Sequence, residues 1–158
     1  MSVPWILAGL LAAMVIYSLL LWGSIRDRTY LLNAAFIGTL GLYMLDFHGL
    51  AFQFLWPESS WWKTISLQVL SSLTYVAGIS FFRHYLRLKE FLPGLSNALT
   101  VLAALHVTRI LFKTAGLPLP RDIWFIYLNL IVLLLSIYGV IQTALKGYRP
   151  ARLFLIAT

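Results

Sequence analysis

Five apolar blocks of membrane-spanning length, at 4–23, 30–50, 64–82, 95–112 and 123–145, dominate the chain, and a sixth apolar run begins after Arg149-Pro-Ala-Arg152. A bilayer core about 30 Å thick takes about 20 apolar residues per helix, which is the length of each block. The hydrocarbon holds no water to satisfy an open backbone, so each block is predicted to be a helix. The fold class that follows is all-α: a polytopic transmembrane bundle of five spans plus the start of a sixth. Residues 1–158 read as a single membrane domain, because nearly every residue belongs to a span or a short link.

Composition excludes several function classes. Only 11% of residues are charged and 61% are hydrophobic, against about 25% charged in a soluble domain. With no cysteine, disulfides, thiolate catalysis and cysteine-held metals are excluded. No HExxH, GxSxG or phosphate-cradling glycine loop is present, so no enzymatic activity is expected within the chain and no cofactor is assigned. The first block has no basic residue before Pro4 and exceeds the apolar core of a cleaved signal peptide, so it reads as a true span or a signal-anchor.

The net charge of +7 would suggest nucleic acid in a soluble protein. Here the basic residues lie between spans, where they report topology instead, and the partner they imply is the lipid bilayer. The links after blocks one, three and five carry eight of them: Arg26, Arg28, Arg83, Arg87, Lys89, Lys146, Arg149 and Arg152. The other side has four: Lys63, Arg109, Lys113 and Arg121. The positive-inside rule then places the odd links in the cytoplasm and the N-terminus outside.

The links differ in character. Between blocks two and three, Phe52, Phe54, Trp56, Trp61 and Trp62 stand among polar residues, with a turn expected at Pro57. Aromatic side chains of this kind settle at the headgroup level, so this loop is expected to lie on the membrane. After block three, residues 83–90 continue as a basic amphipathic turn that Pro93-Gly94 ends.

Ionisable residues inside a span are costly and face the bundle interior. Asp46, Gln68, His106, Arg109 and Asn129 all fall toward the outer ends of their blocks. At about 1.5 Å per residue they lie at similar depth, which predicts an outer-leaflet polar layer. His106 and Arg109 share a helix face at i, i+3. Asp46 is the one acidic residue inside the five blocks, so Arg109 is its expected counter-ion. Such a layer fixes helix register as an internal ion pair, senses a ligand, or is a set of interfacial residues that snorkel separately to water.

Weaker stripes run along Thr64, Gln68, Ser71 and Tyr75, and along Asn129, Ser136 and Thr143. Small and hydroxylated residues permit close helix approach and interhelical hydrogen bonds, and Gly9 with Ala13 offers the same on block one. His48 and His106 are the two histidines at a depth where a haem could be held, each without a second partner, so haem or metal binding has little support.

Three stretches together carry a family resemblance: Arg26-Asp-Arg-Thr-Tyr-Leu-Leu32, Gly49-Leu-Ala-Phe-Gln-Phe-Leu-Trp-Pro57 followed by Trp61-Trp62, and Gly147-Tyr-Arg-Pro-Ala-Arg152. From about Leu10 onward the chain resembles the membrane domain of the bacterial seven-transmembrane receptors with diverse intracellular signalling modules (7TMR-DISM). The resemblance implies a multi-pass protein of the bacterial cytoplasmic membrane. In the full-length pattern an extracytoplasmic sensor domain precedes seven helices and a cytoplasmic kinase or cyclase module follows them. Only Met1-Ser-Val precedes block one, and the chain stops eight residues after Pro150, so the expectation is a partial domain truncated at both ends. The function implied is a transmembrane relay from an extracytoplasmic ligand to an output module outside this chain. The residues themselves leave a second class open, a small transporter or channel subunit with its site at the Asp46 level.

Overall fold

The computed structural model describes residues 3–118 and 123–150. Arg121, Arg152 and the sixth apolar run lie outside the described residues. Among the described residues seven helices follow one another: α1 Val3–Ile25, α2 Arg28–Phe47, α3 Leu50–Phe54, α4 Ser60–Tyr85, α5 Leu88–Phe91, α6 Pro93–Thr114 and α7 Ile123–Leu145. Among the described residues no strand occurs. Five of the helices, α1, α2, α4, α6 and α7, are long and apolar enough to cross a membrane. They coincide with the five apolar blocks.

The boundaries have local causes. Asp27 takes an extended conformation before α2, and its carboxylate accepts from both the backbone N–H and the hydroxyl of Thr29, each at 2.8 Å. This closes one of the open donors at the helix start. Block two was expected to run to Leu50. Instead α2 stops at Phe47 because Gly49 turns left-handed, at φ 75°, and the short α3 starts behind it. Helix α4 is longer than its apolar block at both ends. Trp61, Trp62, Lys63, Arg83 and His84 are polar or interfacial, and they mark where the helix leaves hydrocarbon rather than where it unwinds. Pro93 does not terminate a segment; it opens α6 at its first turn, where its fixed φ fits and its missing N–H is not needed.

Helices α1, α2, α4 and α6 form a row of neighbours, each packed on the next, with α4 between α2 and α6. Helix α7 packs on α6, α4 and α5. The registers are antiparallel. Asn33 donates to Ser18 across α1 and α2, at 2.9 Å. Between α4 and α6, Ser72 meets Arg109 and Tyr75 meets His106, one index rising by three as the other falls by three. The buried apolar cluster sits where α4 to α7 converge and includes Ile79, Leu86, Leu88, Leu99, Val132 and Val140. Large apolar side chains stay exposed along α1 and α7, such as Leu20 and Leu145, as expected when lipid is the solvent.

Close approach comes from glycines on other helices than expected. Gly9 has open space around it, and Gly9 and Ala13 both lie exposed. The tight contacts are Gly139 against Leu95, where an added Cβ would stand 2.8 Å from the side chain, and Gly78 against the ring of Phe36, where it would stand 3.0 Å from a ring carbon. Three hydroxyls expected to bridge helices bond their own backbone instead: Thr64 to Ser60, Ser136 to Val132 and Thr143 to Gly139.

Candidate functional site

Helix α4 carries polar side chains on two opposite faces. On one, the Ser66 hydroxyl donates to the Asp46 carboxylate of α2 at 2.7 Å. On the other, Arg109 of α6 donates from Nη1 to Ser72 at 3.4 Å, and its guanidinium lies 4.1 Å from the centre of the Phe125 ring of α7. One turn away, the His106 ring stacks on Tyr75, with centroids 5.0 Å apart and planes 6° from parallel.

The Asp46–Arg109 ion pair expected from the sequence is therefore not formed. The five residues do lie toward corresponding helix ends, but α4 stands between the helices that carry Asp46 and Arg109. Equal depth does not make neighbours. The expected layer is split into an α2/α4 seam holding Asp46 and an α4/α6 seam holding His106 and Arg109. Gln68 is half-buried on α4, and Asn129 is half-buried on α7. Because α4 begins at Ser60, Gln68 sits eight residues into its helix rather than four. Ser66, Ser72 and Phe125 are the partners that sequence reasoning missed. Their signal was weak, since serine is common in membrane helices and phenylalanine reads as lipid-facing.

Behind Tyr75 lies a cavity of about 600 Å³ between α2, α4 and α7. Its polar points are Tyr43, Ser71, Thr74, Tyr75, Asn129 and Ser136, set in an otherwise apolar wall. The buried side-chain oxygen of Asn129 has no hydrogen-bond partner among the described residues. Tyr75 thus borders the cavity and also stacks on His106, which is fully buried. Neither ring nitrogen of His106 has a hydrogen-bond partner among the described residues. His48 is exposed at the end of α2, its Nδ1 2.8 Å from the Met44 carbonyl. With α4 between their helices, the two histidines do not face a common site.

The aromatic link folds onto itself and its neighbours. Trp56 meets Trp62 edge-on at 5.9 Å, Trp61 lies 6.1 Å from Trp62, and Phe54 meets Trp5 of α1 at 5.2 Å. The Lys63 ammonium sits 4.0 Å over the Phe52 ring. Trp61 and Trp62 belong to the first turn of α4 rather than to a loop.

At the other end of the bundle the arginine-rich links touch one another. Asp27 and His84 approach to 4.0 Å, and Tyr148 donates to the Tyr85 carbonyl at 3.1 Å. Lys146 reaches the Phe91 carbonyl at 2.6 Å. Arg83 is half-buried and donates from Nε to Ser96 at 3.1 Å, while Arg87 reaches Glu90 at 3.7 Å. Arg26, Arg28, Lys89 and Arg149 are exposed there. Hydrogen bonds from Thr29 hold the Asp27 carboxyl below its usual pKa.

Each stretch that carries the family resemblance is thus a joint. Asp27 caps α2, Gly49 turns the chain into the aromatic link, and Tyr148, just after the left-handed Gly147, ties the end of α7 to α4. Comparison with curated proteins and with solved structures finds no match. The family model described as 7TM diverse intracellular signalling matches residues 2–158. With that match running from residue 2 to residue 158, this multi-pass membrane chain belongs to the 7TM diverse intracellular signalling family.

Proposed function

We propose that the chain is the membrane relay of a bacterial receptor, set in the cytoplasmic membrane with its N-terminus outside. It carries an extracytoplasmic ligand event to a cytoplasmic output module, such as a kinase or cyclase, and is not itself an enzyme. The observation that carries this reading is the family match along the whole chain. The excess of Lys and Arg on the odd links supports the orientation.

The packing supports a route. Tyr75 reports on the α2/α4/α7 cavity through one part of its ring and on His106 through its face. Helix α4 then runs unbroken to Tyr85, whose carbonyl holds Tyr148 at the end of α7. A change in packing at the cavity would shift α4 against α6 and move the basic links together. Signalling by such a two-state bundle requires only that the ligand favour one packing over the other.

The test joins a reporter cyclase to the C-terminal end of the chain in a bacterial inner membrane and measures cyclic product. Tyr75→Ala and Arg109→Ala should lock output high or low by severalfold relative to wild type. Unchanged output, with proton or ion flux in reconstituted liposomes above that of empty ones, would replace the relay with a transporter.

A further inference from the structure

The arginine-rich end encloses a second cavity, of about 820 Å³, where the first, third and fifth links meet. Four of its lining side chains are cationic or can become so: Arg83, His84, Arg87 and Lys89. Two carboxylates also face it, and both are engaged. Asp27 is held by Thr29 and stands 4.0 Å from His84, and Glu90 pairs with Arg87 at 3.7 Å. Arg83 and Lys89 have no carboxylate partner among the described residues.

Arg83 is the informative member. It is half-buried, and Ser96 of α6 fixes its Nε at 3.1 Å, which orients the guanidinium plane and leaves its other donors free of any anion among the described residues. A partly desolvated cation without an anion is unfavourable. The fork of a fixed guanidinium matches the oxygens of a phosphate. Tyr30, Tyr85 and Tyr148 complete the wall, and tyrosine favours the level where hydrocarbon gives way to headgroups. Arg83 lies two residues before the end of α4, about 3 Å along the axis, so it sits at that same level.

We propose that this cavity binds the phosphate of an anionic phospholipid headgroup, with Arg83 as the orienting ligand and Lys89 as the second cation. The lipid is the source because the cavity lies among helix ends at the bilayer surface, where headgroup phosphate is always present at high local concentration. Bound there, one lipid would bridge the ends of α2 and α4, the short α5 and Tyr148 behind α7, and supply the missing counter-charge.

The test places the chain in nanodiscs of phosphatidylcholine, with or without phosphatidylglycerol, and reads thermal midpoint and retained lipid by native mass spectrometry. Phosphatidylglycerol should raise the midpoint by several degrees and remain bound. Arg83→Gln/Lys89→Gln should lose both effects, while Arg26→Gln/Arg149→Gln, basic residues outside the cavity, should keep them. If the Arg83 variant fails to fold, Arg87→Gln/Lys89→Gln leaves the Ser96 contact intact and should reduce the shift. Equal loss in the Arg26/Arg149 variant, or no preference for phosphatidylglycerol, overturns the proposal. A midpoint raised by inorganic phosphate or glycerol 3-phosphate, but not by phosphatidylglycerol, overturns the lipid source in favour of a soluble phosphate compound.

Discussion

The Ser66 hydroxyl, 2.7 Å from the Asp46 carboxylate, joins α4 to α2 by a side-chain hydrogen bond. Interhelical hydrogen bonds inside membranes contribute about 1 kcal/mol, so Ser66→Ala should cost about that much in a detergent unfolding titration. Combined with Asp46→Ala it should cost little more. By contrast, Asp46→Ala and Arg109→Ala should add within about 0.5 kcal/mol, because α4 stands between the helices that carry them. Strong non-additivity there would place them in contact. His106 offers a second measurement. Its ring is fully buried against Tyr75 with neither nitrogen hydrogen-bonded among the described residues. His106→Phe keeps an aromatic ring in that place and removes unpaired polar atoms, so it should leave the unfolding free energy unchanged or raise it. His106→Ala should lower it by about 2–4 kcal/mol through the cavity it leaves.

At the scale of the helix, glycine position separates packing from propensity. Gly9 has open space around it, and Gly9→Ala should raise stability by up to about 1 kcal/mol through helix propensity alone. Gly78 faces Phe36, which in turn stacks on Phe81 at 6.3 Å, so its ring is held on both sides. Gly78→Ala should therefore lower the unfolding midpoint, at a cost of about 1–3 kcal/mol. The Asp27 cap gives a pH signature. Its carboxyl titrates below the ordinary value of 3.8 because Thr29 bonds the ionised form. The cap's contribution is complete above that ordinary value and fades as pH falls through the lower folded one. The difference in thermal midpoint between wild type and Asp27→Ala should thus be constant near neutrality and shrink in acid below about pH 4. A difference that grows in acid would mean that Asp27 acts otherwise.

For the whole molecule the decisive measurement is topology. Cysteines at Ser24 and Ser59, on opposite ends of the bundle, should react with an impermeant maleimide from opposite faces of intact cells and inverted vesicles. Labelling from one face would overturn the alternating arrangement. The helical nature and approximate length of the five long segments among the described residues could be read from the sequence, since a backbone in hydrocarbon has no alternative to the helix and block length sets the span. The short helices α3 and α5, the exact ends of α4 and the partner of Asp46 could not. Local hydropathy carries depth along a helix but not direction around it, so it could align Asp46 with Arg109 and not reveal α4 between them. That position, the two separate polar seams and the cavity that gathers the basic links follow only from which helix packs on which, a choice made by side-chain contacts far apart in the chain.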